Sequence, residues 1–165
     1  MRALFAFASL SLLACTRAAA PVAAPLDAGP PPDDCTLATK LQPGVPGSPG
    51  HLLPSELNPN GASELAALMR TFVADWKDAR VRLEADAGVA PRLPVHRKMR
   101  CAWPTAEADR NPTFDGFAVN YLLQVKAFDA RPSRETYEGV LNGCKACHEV
   151  SCGGPLELIE GMRWK

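Results

Sequence analysis

"GVLNGCKACHEVSC", residues 139–152, gathers three of the chain's six cysteines and one of its three histidines into one short run. A Cys-x-x-Cys-His run is able to carry a covalently attached haem, half of a zinc site or a redox-active disulfide, and each needs different surroundings. Tyr137, Val140, Leu141, Cys144, Cys147 and His148 recur at three- and four-residue steps, the period of a helix that starts at Pro132 or Ser133. The motif therefore lies late on a helix. Its two thiols and its imidazole, at i, i+3 and i+4, share one face.

Working outward, the segments before it also read as helices. "SELAALMRTFVADWKDARVRLEADAG", residues 63–88, opens with Ser63 as an N-cap and Glu64 at the positive end of the helix dipole, and closes on Gly88 as a C-cap. Its apolar stripe is Leu65, Leu68, Met69, Phe72, Trp76, Ala79 and Leu83, with Arg70, Asp75, Lys77 and Arg82 mostly off it. A third helix, about 114–128, carries Phe114, Phe117, Ala118, Tyr121, Val125 and Phe128 on one side. Between them "PRLPVHRKMRCAW" has prolines at 91 and 94 suited to a helix start and little room before Pro104, so the second helix is short. No segment alternates apolar and polar residues as a half-buried strand does. The expected fold is all-α, an antiparallel four-helix bundle with the Cys-x-x-Cys-His motif on its last helix.

The N-terminus fixes the compartment. Met1-Arg2 gives a positive start, "ALFAFASLSLL" is an apolar run too short to span a membrane as a mature helix, and Leu12-Leu13-Ala14-Cys15 ends it. This resembles a bacterial lipobox, which implies a signal peptide over 1–14 and an acylated Cys15. Thr16 after that cysteine leans toward the outer membrane. Residues 15–54 read as an Ala/Pro-rich tether, with nine of the sixteen prolines between 21 and 54, and 55–165 as one folded domain. The formal net charge is zero, from 18 Lys and Arg against 18 Asp and Glu, so nothing points to nucleic acid or to an anionic membrane surface.

Those surroundings weigh the motif. Cys144, Cys147, His148 and Cys152 contain enough ligands for zinc, but structural zinc sites usually draw separated pairs from turns rather than from one helix and its end. A thioredoxin-like pair opens a helix, where the dipole lowers the thiol pKa, and this pair is near a helix end. A disulfide between cysteines three apart on one helix constrains almost nothing. Haem attachment suits the geometry, since two thioethers hold one edge of the macrocycle beside an imidazole able to bind its iron. Export agrees with it.

With the motif near the C-terminus and on the last helix of a bundle, residues 60–152 resemble the class II c-type cytochromes, the cytochrome c-prime family. The tether and the tail "SCGGPLELIEGMRWK" depart from that pattern. The resemblance implies one covalent haem c, thioether bonds at Cys144 and Cys147, and His148 as proximal ligand. It also implies a choice on the other face of the iron. A methionine there makes a six-coordinate electron carrier, and an apolar residue leaves a five-coordinate iron that binds nitric oxide or carbon monoxide. Met69, about two turns into the first helix and at a depth similar to that of His148, is the candidate ligand; Leu68 or Phe72 beside it suits an open site. The expected function is a periplasmic, lipid-anchored electron carrier meeting periplasmic redox proteins, alternatively a gas-binding or sensing protein. A homodimer is compatible with either.

No Ser-His-Asp pattern, paired acidic site or Gly-rich phosphate loop suggests an enzyme. His51 reads as solvated in the Pro/Gly stretch, and His96, among Arg97, Lys98 and Arg100, as part of a charged face. Cys35, Cys101 and Cys152 remain for a disulfide; all three map near one end of such a bundle, with Cys101 in the pair and Cys152 slightly ahead of Cys35 as its partner.

Overall fold

The computed structural model describes residues 35–164, so the signal segment 1–14, Cys15 and the first part of the tether lie outside the described residues. The fold is all-α. Three long helices carry it: α1 (Glu64–Glu84), α3 (Pro112–Ala130) and α4 (Arg134–Ser151), with the single turn α2 (Leu93–His96) before α3 and the short α5 (Leu156–Gly161) at the end. A 3-10 turn over Arg97–Cys101 continues α2, and another covers Glu107–Asp109. Among the described residues the one β-type pairing is an isolated antiparallel bridge between Leu53 and Ala62.

Each long helix begins where a side chain satisfies its orphan amides. Ser63 accepts from the Ala66 N–H, Asn111 from Phe114, and Ser133 forms a capping box with Thr136. Helix α1 stops four residues before Gly88. The Ala87 N–H returns to the Arg82 carbonyl and the Asp86 N–H to Leu83, a Schellman closure with Asp86 in the left-handed region at φ 51°. Asp tolerates that conformation better than most residues, so the closure forms before the glycine is reached.

The predicted stripes become the core. Phe72, Trp76 and Ala79 of α1, Ala118, Tyr121, Val125 and Phe128 of α3, and Tyr137, Val140 and Leu141 of α4 are buried together. Trp76 is the hub, meeting Phe128 and Tyr137 edge-on with ring centres 5.0 and 6.1 Å away. Full burial of a large apolar side chain is worth roughly 1.5–3 kcal/mol, so these rows outweigh anything one turn of α2 contributes. The α4 stripe is fully buried from Tyr137 to Leu141 but half-buried from Cys144 to His148, because it runs out of the core into a cleft.

Both flanks of the helices are built on. The Pro/Gly-rich stretch before α1 forms turns fastened to the helices: the Trp103 indole N–H donates to the Gln42 carbonyl at 2.8 Å, and the Arg110 guanidinium holds the carbonyls of Thr36 and Leu37. Gly47, at φ 90°, approaches α1 so closely that a Cβ there would stand 2.7 Å from Glu64. After α4, α5 buries Ile159 and the residue after it buries Met162, while Trp164 packs edge-on against Tyr137 at 5.3 Å. Arg163 pairs with Glu138, and the Arg80 guanidinium takes the Met162 and Arg163 carbonyls. No described helix is long and apolar enough to cross a membrane.

Two sequence expectations change here. The disulfide joins Cys101 to Cys35, and Cys152 is a free, exposed thiol. Arg110 explains the choice: its guanidinium reaches the carbonyls of Thr36, Leu37 and Arg100, drawing the chain at Cys35 against the end of the 3-10 turn. Cys152 caps α4 instead. His96 is not on a charged face but fully buried, stacked on Phe72 with ring centres 3.9 Å apart. One turn of α2 followed by a tighter 3-10 turn rotates His96 and Met99 inward and leaves Lys98 exposed.

Candidate functional site

The cleft lies between α1 and α4 where α4 ends. Its larger chamber, about 540 Å³, is lined by Met69 and Phe72 of α1, by Tyr121 of α3, and by Cys144, Cys147 and His148 of α4. The tail closes one side through Leu158, Ile159 and Met162. A second chamber of about 460 Å³ adjoins it, and Met69, Cys147 and His148 line both. Each volume is in the range typical of cofactor sites. The sequence-predicted residues Met69, Cys144, Cys147 and His148 are thus brought together. His51 is exposed and lines neither chamber.

His148 is oriented by its own helix end. Its Nδ1 stands 2.8 Å from the Cys152 carbonyl oxygen, four residues on. A carbonyl only accepts, so Nδ1 carries the proton and donates it, and the Nε2 lone pair is left uncommitted. The Cys152 amide in turn donates to the His148 carbonyl at 3.2 Å, closing the last turn. A carbonyl-bound Nδ1–H beside a free Nε2 is the usual arrangement of a metal-binding imidazole.

The thiols sit in apolar surroundings. Burial pushes the Cys144 thiol up to about 12, with Cys147 beside it acting in the same direction. Burial raises Cys147 as well, against a hydrogen bond with Ser151. Both are neutral thiols facing a cofactor-sized space rather than activated thiolates, which disfavours the redox-pair reading. Among the described residues no group of three or more His, Cys, Asp and Glu side chains is placed to share a metal ion. A haem needs only the motif's single imidazole, with two thiols one turn apart along an edge, and the residues present fit it.

Three features of the cleft were not legible in the chain. Met99 and Met162 also line the larger chamber, although one comes from the short second element and the other from the tail. Both are almost fully buried within the core cluster, whereas Met69 is half-buried and shares both chambers with His148. The third is a polar row behind the wall. The Tyr121 hydroxyl lies 2.6 Å from His96 Nδ1 and accepts from the Trp76 indole N–H at 2.9 Å; His96 Nε2 lies 3.0 Å from an Asp75 oxygen. These residues come from three separate elements, and no local spacing announces them.

No protein-family model matches the chain, and neither a curated protein nor a solved structure does.

Proposed function

We propose that this protein is a c-type cytochrome of the class II arrangement that carries one covalent haem c in the cleft between α1 and α4 and passes single electrons to periplasmic partners. The observation that carries this reading is the His148–Cys152 hydrogen bond, which leaves Nε2 free in a cleft shared with Cys144 and Cys147. Haem, once bound, supplies an iron that alternates between two oxidation states. Cys144 and Cys147 would hold it through thioether bonds. His148 would offer Nε2 to its iron, and Met69 on the facing helix would be the candidate second ligand, methionine favouring a higher reduction potential than a second histidine. Phe72, Ile159 and Met162 give the cleft an apolar wall.

In this reading the fold is an antiparallel four-helix bundle whose second helix is reduced to α2 and the 3-10 turn after it, with α5 as added cover. The signal at 1–14 and acylation of Cys15 place the mature protein on the periplasmic side of a membrane, the outer one favoured by Thr16. Its role is transfer rather than catalysis. The five-coordinate, gas-binding alternative draws its support from the second chamber, which gives space beside both Met69 and His148.

Expression in a host competent in haem attachment tests the proposal. The purified protein is expected to be red and to keep its haem through acid-organic extraction and denaturing electrophoresis. Cys144→Ala with Cys147→Ala should lose it. A colourless protein that co-purifies with zinc overturns the reading.

A further inference from the structure

Behind the cleft wall stands a line of aromatic rings that reaches the surface. The Trp76 indole N–H bonds to the Tyr121 hydroxyl at 2.9 Å, Trp76 meets Tyr137 at 6.1 Å between centres, and Tyr137 meets Trp164 at 5.3 Å. Trp164 is half-exposed, and Tyr121 lines the larger chamber. Tryptophan and tyrosine are the side chains whose rings give up one electron most readily. The four differ in what can take the proton that such a loss releases.

Trp164 lies between the guanidinium groups of Arg80 and Arg134, 5.5 and 5.6 Å from its ring, so a positive charge there is opposed. Tyr137 donates its hydroxyl to the Met162 carbonyl at 3.0 Å, and a carbonyl oxygen is no base. Trp76 gives its N–H to a neutral phenol oxygen. Tyr121 alone faces a nitrogen base. Its oxygen is 2.6 Å from His96 Nδ1, and because the Asp75 carboxylate can only accept from Nε2, the neutral imidazole leaves Nδ1 bare to accept the phenol proton. His96 then carries its own proton on Nε2 and donates it to Asp75 Oδ2 at 3.0 Å, while Arg92 holds the other Asp75 oxygen at 3.1 Å. Phe72 stacks on the imidazole, and Trp76 meets it edge-on at 5.2 Å, so the ring has no room to turn.

We infer that Tyr121 is a redox-active site that gives one electron to an outer-sphere metal-complex oxidant at the Trp164 surface while its phenol proton moves to His96 Nδ1. The step balances. The electron leaves the Tyr121 ring through Trp76, Tyr137 and Trp164, and the oxidant at the surface is reduced by one unit. The proton crosses one hydrogen bond, leaving a neutral tyrosyl radical and an imidazolium whose charge faces the Asp75 carboxylate. An electron returning by the same rings restores phenol and imidazole. At rest the proton stays on the phenol, since burial holds Tyr121 well above the usual tyrosine range and pulls His96 down to about 4. The site is made from the chain's own residues and does not depend on haem attachment.

The test uses the purified full-length protein in its oxidised form, with a photo-excited ruthenium polypyridyl complex and a sacrificial electron acceptor as the oxidant, followed by freeze-trapping and electron paramagnetic resonance. A tyrosyl signal is expected, absent in Tyr121→Phe; in Tyr137→Phe, which interrupts the route at the only other tyrosine, it should form more slowly but with the same line shape. His96→Gln, which preserves a polar partner but not a base, should slow its formation by roughly 100-fold, the usual scale of a lost general base. In the unaltered protein, formation should be slower in deuterated water, a result that needs no change to the core. A radical resident on Tyr137 or tryptophan, a rate indifferent to His96→Gln in a folded variant, or no solvent isotope effect overturns the inference.

Discussion

His148 and Cys152 are joined twice, by the Nδ1–H of the imidazole donating to the Cys152 carbonyl at 2.8 Å and by the Cys152 amide donating to the His148 carbonyl at 3.2 Å. Only backbone atoms of Cys152 take part, and its thiol is exposed and free. If haem is attached as proposed, Cys152→Ala should leave its visible spectrum unchanged, while His148→Ala should remove the imidazole ligand and shift it to high spin. A changed spectrum in Cys152→Ala would assign a role to the thiol itself, since Cys152 lines both chambers.

On the proposed haem reading, Met69 is the residue that separates electron carrier from gas binder. With Met69 on the iron, the oxidised protein is expected to show the near-infrared methionine-to-iron charge-transfer band and to bind carbon monoxide poorly when reduced. Met69→Ala should abolish the band and open the iron to carbon monoxide. A wild-type protein that is high-spin in both oxidation states, and indifferent to Met69→Ala, hands the function to the gas-binding alternative.

The Cys35–Cys101 bridge spans 66 positions, and closing a loop of that size in the unfolded chain is worth about 4 kcal/mol on the chain-entropy account. Reduction, or Cys35→Ser with Cys101→Ser, should lower the urea midpoint by an amount up to that size. Alkylation of the haem-loaded protein under denaturing, non-reducing conditions should label Cys152 and no other cysteine of the folded domain; mass spectrometry of the peptides reads this directly.

His96 gives stability a pH signature. Its pKa falls from 6.5 to about 4 in the folded protein, chiefly because burial disfavours the imidazolium, with Asp75 opposing. Between those values the unfolded chain binds a proton that the native state refuses. Stability should thus be fully present above about 6.5, fall as the pH drops through the window, and stop falling on this account near 4. The loss is on the order of 3 kcal/mol. Urea titrations at a series of pH values measure it, and His96→Gln should flatten that part of the curve.

Asp86 ends α1 at φ 51°, where glycine carries no Cβ penalty. Asp86→Gly should raise the stability of the folded protein by about 0.5–1 kcal/mol, read as a small rise in Tm; a fall would mean that the Asp side chain contributes more to the closure than its backbone conformation costs.

The long helices could be read from the chain because they follow from short-range rules, whereas the nearness of Met69 to the motif was an expectation from helix order in a bundle. Ser63 and Ser133 cap where a polar residue precedes an apolar period, and the spacing Cys144, Cys147, His148 sets the three groups on one face of α4 regardless of what packs beside it. Helix ends were less legible: Gly88 is the better C-cap residue, yet the chain closes at Asp86 once its amide and that of Ala87 find partners in the last turn.

Only the tertiary structure decided the rest, and each case turns on contacts between residues far apart in sequence. Cys101 chose Cys35 over Cys152 because Arg110 gathers the carbonyls of Thr36 and Leu37, a bond between segments more than seventy residues apart. Met99 and Met162 reached the cleft because a 3-10 turn and a docked tail carried them there. His96, surrounded in sequence by basic residues, was drawn inside because Asp75 and Tyr121 satisfy both its nitrogens, and a buried imidazole is stable only where both partners are supplied at once.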